Sequence, residues 1–164
     1  MRVKLGTLFL LAVALGVAIY SYYTYRVAHE VKFESLDITD LEGKPIDLGD
    51  ITDEHLFVHF FATWCSNCLN EQASLEVAAE ILKNDGVTTI LISDEPIEKL
   101  KKFVANENLK TPIYHSNKKL KEMSIYTIPT CYLLKNNGSI VFTHVGEEMW
   151  NDDAVLNKLR ALLR

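Results

Sequence analysis

The chain has 164 residues, 48% hydrophobic and 24% charged, with a formal net charge of -5. That length suits about one domain, and the balance excludes a disordered chain. Net acidity without a basic stripe argues against a nucleic-acid partner, and three cysteines are too few for a disulfide-built scaffold.

The N-terminus, MRVKLGTLFLLAVALGVAIYSYYTYR, opens on Arg2 and Lys4 and then runs uncharged from Leu5 to Tyr25. A membrane span needs roughly 20 apolar residues, and aromatic rings gather at the interface. Leu5–Tyr23, with Tyr20, Tyr22, Tyr23 and Tyr25 at its end, fits one crossing. Arg2 and Lys4 then hold the N-terminus in the cytoplasm and send the rest outside. A cleaved signal peptide shares these features, with Gly16-Val17-Ala18 as a small-x-small site, though the tyrosine girdle favours an anchor. Both readings export the remainder, giving a membrane segment over 1–25, a charged stalk over 26–32 and one domain over 33–164.

FESLDITDLEGKPIDLGD alternates apolar and polar residues around Glu42-Gly43 and predicts a hairpin. Leu56 to Ala62 is a near-continuous apolar run, as in a buried central strand. From Cys68 to Lys83 the spacing turns helical, with Leu69, Leu75, Ala78 and Leu82 as inward candidates, and Gly86 ends that helix. VTTILIS follows as a β-branched strand. Pro96 opens a helix with Ile97, Leu100, Phe103 and Val104 on one stripe. TPIYHS is an extended piece, and Leu120–Tyr126 a helical turn or two. Tyr132–Leu134 and Ser139–His144 form a hairpin across Asn136-Asn137-Gly138. Asn151-Asp152-Asp153 caps a last helix with Val155, Leu156, Leu159 and Leu162 inward. Strands alternating with helices predict an α/β layered fold.

Within FFATWCSNCLNEQ, residues 60–72, Cys65 and Cys68 stand two residues apart. Structural zinc needs four ligands, commonly two pairs, and here Cys131 and the five histidines are scattered singly. A structural disulfide over so small a loop gains least from chain entropy. Redox chemistry explains the spacing better. At a helix N-terminus the free N–H groups and the dipole favour a Cys65 thiolate. One turn inside, Cys68 is placed to resolve a mixed disulfide formed at Cys65.

The stretch FFATWCSNCLNEQASLE resembles the thioredoxin superfamily, in particular the membrane-anchored, exported thiol-disulfide oxidoreductases of the TlpA/ResA type. Those read F-W-A-T-W-C-x-x-C with a Glu three residues on. YTIPTCYLLKNNGSIVFTHVG is similar to their second motif, G-[IVL]-P-T followed by a glycine-turned hairpin. The resemblance covers about Phe33 to Leu163. It implies a thioredoxin-like fold: a central mixed β-sheet flanked by helices, with an N-terminal β-hairpin extension, preceded by one transmembrane helix.

It also implies Cys65 as nucleophile, Cys68 as resolving thiol and Pro129 as a cis-proline facing them, with Ile128 offering backbone to a substrate chain. Trp64 would shield the disulfide and contact substrate. Glu71 falls where that family has a functional carboxylate, able to exchange a proton with Cys68 if buried; the bland reading is an exposed first-turn Glu. His59, six residues before Cys65, stands where thioredoxins carry a buried Asp. It is either a neutral core histidine or a proton acceptor beneath the pair. Ser66 and Asn67 depart from the usual proline-containing dipeptide, so the reduction potential does not carry over. Cys131 reads as a buried, inert thiol, and Trp150 as packing.

The function so implied is extracytoplasmic thiol-disulfide exchange, with exported disulfide-bearing proteins as substrates, apocytochrome c cysteines among them. No cofactor beyond the redox-active disulfide is implied, and a membrane thiol donor would recharge it. Alternatives are a thiol peroxidase, a silent interaction module, or a copper chaperone using both thiols and His144. Copper chaperones on this fold usually separate their cysteines by three residues, not two.

Overall fold

The computed structural model describes residues 5–26, 31–51 and 54–164. Arg2, Lys4 and stalk residues 27–30 lie outside the described residues. Helix α1, Leu5–Arg26, contains the window Gly6–Tyr23, which is long and apolar enough to cross a membrane and is not covered by protein.

A 3₁₀ turn at Phe33–Ser35 leads into β1 (Ile38–Thr39) and β2 (Pro45–Ile46), the expected hairpin in abbreviated form, and then a short α2 (Leu48–Ile51). The central strand β3 spans His55–Phe60, and α3 Ser66–Lys83. Then come β4 (Val87–Ser93), α4 (Ile97–Glu107), β5 (Ile113–Ser116), β6 (Thr130–Leu134), β7 (Ile140–Val145) and α5 (Asp153–Leu163). Leu120–Met123 is a 3₁₀ turn, shorter than the predicted one or two helical turns.

The seven strands form one sheet in the order β2-β1-β5-β4-β3-β6-β7. Neighbours β3, β4 and β5 run parallel, joined through α3 and α4 as short crossovers require, and the other pairs are antiparallel. β3 therefore lies between β4 and β6, and its near-continuous apolar run serves a core on each face of the sheet. Along it, Phe57 joins a core with Leu75, Ala78, Leu82, Leu156 and Leu159, whereas Val58 and Phe60 join one with Phe33, Ile90 and Tyr132. Alternation puts His59 on the Phe57 face, the one that α3 covers.

Gly86 permits the descent from α3 into β4. Its φ is +72°, and an added Cβ would sit 3.2 Å from the Glu54 carboxylate. Asp152 caps α5 by accepting the Ala154 N–H at 2.8 Å. One inward assignment on α3 is corrected. Leu69 is 42% exposed, because the buried stripe runs through Cys68, Glu71, Leu75, Ala78 and Leu82. The polar Glu71 lies on that buried stripe, whereas the more apolar Leu69, two residues before it, faces out.

Trp150 is 1% exposed, edge-on to Phe57 at 5.1 Å and to His144 at 5.5 Å. Its removal opens a cavity between sheet, α3 and α5. Trp150→Ala is expected to lower unfolding stability by about 3–5 kcal/mol, read as a fall in urea midpoint at constant slope.

Candidate active site

The turn from β3 to α3 carries the cysteine pair. Cys65 is the N-cap residue of α3, in extended conformation, and its sulfur accepts the Cys68 N–H at 3.3 Å. A thiolate there meets a free helix N–H and the positive end of the dipole. Cys65 and Cys68 form a disulfide in this structure. Both are largely covered, Cys65 at 7% and Cys68 at 1% exposure, so the asymmetry expected of nucleophile and resolver is slight in the oxidised state. Ser66 and Asn67, between them, are exposed on the first turn of the helix.

Ile128–Pro129 is a cis peptide, and the Ile128 carbonyl oxygen lies 3.7 Å from Cys65 Sγ. The second motif, more than sixty residues away in sequence, thus lies against the first. The Pro129 carbonyl accepts the Gly146 N–H at 2.9 Å, which draws the loop after β7 to the same place. Asn70 Nδ2 donates to Glu147 at 3.2 Å and fastens that loop to α3. Trp64, 68% exposed, stands next to Cys65 in sequence and is open to a macromolecular partner.

Glu71 is buried, at 2% exposure, which removes the reading of it as a solvated first-turn acid. One carboxylate oxygen lies 2.5 Å from His59 Nε2, and the other accepts the Glu148 backbone N–H at 2.8 Å. His59 is fully buried, and its Nδ1 has no hydrogen-bond partner among the described residues. The two residues thus form one buried, hydrogen-bonded pair, with Glu71 on α3 one turn beyond Cys68 and His59 on β3 beneath that helix.

Cys131 pairs in register with His59 on one side and His144 on the other. Burial pushes its thiol well above the usual range, and the nearby Glu71 and Glu148 carboxylates push the same way. At neutral pH it is a protonated, closed-off thiol. His144, proposed above as a third copper ligand, packs beside Trp150. Among the described residues no cluster of three or more His, Cys, Asp or Glu is arranged to hold a metal ion.

Sequence reasoning missed Thr63 and Glu95. The Glu95 carboxylate, buried at the C-terminal end of β4, accepts the Thr63 N–H at 2.6 Å and the Thr63 hydroxyl at 3.0 Å. Burial raises its pKa, but hydrogen bonds from Lys99 and Thr63 outweigh that and hold it below the ordinary value. An acid two residues after a buried strand, on the edge where sites of open α/β sheets gather, was the available signal.

Comparison with known proteins bears on this geometry. The AhpC/TSA family profile matches residues 29–143. The thiol-disulfide oxidoreductase ResA of Bacillus thuringiensis subsp. konkukian (strain 97-27) is 30% identical over 147 residues, covering 86% of this chain and 85% of that protein. ResA of Halalkalibacterium halodurans is 30% identical over 150 residues, covering 87% and 85%. Among solved structures, a putative thiol:disulfide interchange protein DsbE from Chlorobium tepidum superposes with a TM-score of 0.70 at 17% identity, covering 84% of this chain and all of that one. StoA from Bacillus subtilis gives a TM-score of 0.60 at 21% identity, covering 80% and 99%. These two share the thioredoxin-like fold. With the profile spanning most of the domain, the chain belongs to the AhpC/TSA family and is a thioredoxin-like thiol-disulfide oxidoreductase.

Proposed function

We propose that the chain is a membrane-tethered reductase of protein disulfides, acting outside the cytoplasm through Cys65 and Cys68. The observation that carries this reading is Cys65 as N-cap of α3, with its sulfur beside the carbonyl of a cis Ile128–Pro129 bond. In the reduced protein the Cys65 thiolate attacks one sulfur of a substrate disulfide, forming a mixed disulfide and releasing the other sulfur as thiolate. Cys68, losing its proton, then attacks Cys65 Sγ, closes the internal disulfide and expels the second substrate thiolate. Two electrons pass to the substrate, and the released thiolates take up protons.

Glu71 is the nearest carboxylate along the helix from Cys68 and serves as acceptor of its proton, with His59 behind it. Trp64 and the Ile128 backbone hold the substrate segment, and Ser66 and Asn67 set the potential of the pair. Substrates are exported proteins, including apocytochrome c cysteine pairs. A membrane-embedded dithiol donor returns the pair to its reduced form, as no nucleotide or flavin motif occurs in the sequence. Support for the membrane setting comes from the apolar Gly6–Tyr23 window and from Arg2 and Lys4 before it.

The test is trapping. Cys68→Ala removes the resolving thiol, so the Cys65–substrate disulfide should accumulate and be captured from the membrane fraction, dissolving on addition of dithiothreitol. A Cys68→Ala protein that traps no partner, together with a wild-type pair that will not titrate against a dithiol buffer, overturns the proposal.

A further inference from the structure

We propose that Glu95 and Lys99 are a positioning pair for the nucleophile. The carboxylate fixes the turn that presents Cys65, and the ammonium cancels the charge this would otherwise set beside a thiolate. The inference rests on the redox reading above and adds to it two residues outside the cysteine motif.

Thr63 lies two residues before Cys65, in the turn where the Cys65 N–H donates to the Ala62 carbonyl at 3.1 Å. Both Thr63 donors, N–H and hydroxyl, go to the one Glu95 carboxylate. An amide side chain has one oxygen and a hydroxyl one weaker acceptor, so a carboxylate is the group that takes both donors strongly. Glu95 is itself immobilised from three elements. Its N–H donates to Ser93 Oγ at the end of β4, at 3.3 Å. Its carbonyl oxygen lies 2.9 Å from His115 Nδ1 on β5. Lys99 Nζ on α4 donates to the carboxylate at 2.5 Å. The nucleophile's turn is thereby tied through Glu95 to β4, β5 and α4.

Such a carboxylate carries a cost. A negative charge near Cys65 disfavours the thiolate that exchange requires. Lys99 answers it at short range while remaining half exposed, with 51% of its side chain in water. Other ionisable groups on the elements packed about the turn, among the described residues, include the Asp94–Lys119 pair at 3.7 Å, His115, the His59–Glu71 pair, and Glu147 and Glu148 after β7. None of these is altered in the variants below.

The experiment follows alkylation of Cys65 by iodoacetamide against pH, on the full chain in detergent. A Cys68→Ala background leaves Cys65 as the reactive thiol, since Cys131 is buried and protonated. Lys99→Met leaves the carboxylate unbalanced and should move the midpoint up by about half a pH unit. Glu95→Gln leaves the ammonium unbalanced and should move it down by about as much. Opposite shifts identify an electrostatic pair, because mere loosening of the turn moves both variants the same way. Lys101→Met, on the same helix, should leave the midpoint in place. If Glu95→Gln fails to fold, Lys99→Met is read beside Lys99→Arg, which keeps the positive charge and should leave the midpoint in place; equal shifts in the two overturn the pair. Shifts in one common direction, or a Lys99→Met midpoint equal to the parent's, overturn the pair. A parent Cys65 that resists alkylation at every pH overturns the redox reading, and the pair with it.

Discussion

Cys65→Ser is expected to abolish disulfide turnover, by about a thousandfold or more, while leaving the fold in place. The serine hydroxyl stays protonated at neutral pH, so even with the same helix N-terminus beneath it no nucleophile is generated. Nothing else supplies one. Cys68 is 1% exposed and Cys131 is buried with a raised pKa, so neither replaces the lost thiolate. The stability change should be small by comparison. A disulfide with two intervening residues closes so short a loop that chain entropy accounts for at most about 2 kcal/mol. The measurement pairs initial rates on a fluorogenic peptide disulfide with a urea unfolding curve of the oxidised wild type. Retention of more than about a tenth of the rate would mean that Cys65 is not the attacking group. A loss of rate matched by collapse of the unfolding transition would mean that the pair is a staple.

The second large effect concerns stability. Glu71→Ala is expected to cost about 3–5 kcal/mol, because it strips a fully buried pair of one partner. It leaves His59 Nε2 without its partner and the Glu148 N–H without its acceptor, and the His59 Nδ1 has no partner among the described residues to begin with. His59→Leu alone should also destabilise, since the carboxylate then keeps only the Glu148 N–H. The double variant His59→Leu, Glu71→Leu should be less damaging than the sum of the two, as apolar groups of similar volume replace both buried partners. A double-mutant cycle in urea reads this as a coupling of about 1–3 kcal/mol. Strict additivity would show that the short contact carries no energy. Redox titration of the same set separates packing from proton transfer. If the pair serves Cys68, the double variant regains stability and still loses the wild-type pH dependence of exchange rate. A purely structural pair would restore both.

Some of this was legible from residue order and some was not. The CSNC spacing, the apolar run before it and the helical pattern after it are local, and each became the element expected. The Ile-Pro motif reached Cys65 by resemblance to a family, since no local property of a proline tells which turn it will face. Burial of Glu71 was open in the sequence, where a first-turn acid and a buried acid look identical. Leu69 was misassigned for the same reason: hydrophobicity picks the more apolar neighbour, whereas helix phase follows the whole stripe. Thr63 and Glu95, thirty-two residues apart, gave no joint signal at all.

Residue order alone therefore settles most of the elements, the apolar N-terminal segment and the place of the CxxC pair between a strand and a helix, because these depend on interactions within a few residues along the chain. Which carboxylate meets which donor depends on the sheet order β5-β4-β3-β6. That order sets the end of β4 beside the turn carrying Cys65, and lays α3 over His59. The contacts around the cysteine pair are made across strands and helices, where charge and hydrogen bonding act through space. Only the folded chain brings those partners within reach of one another.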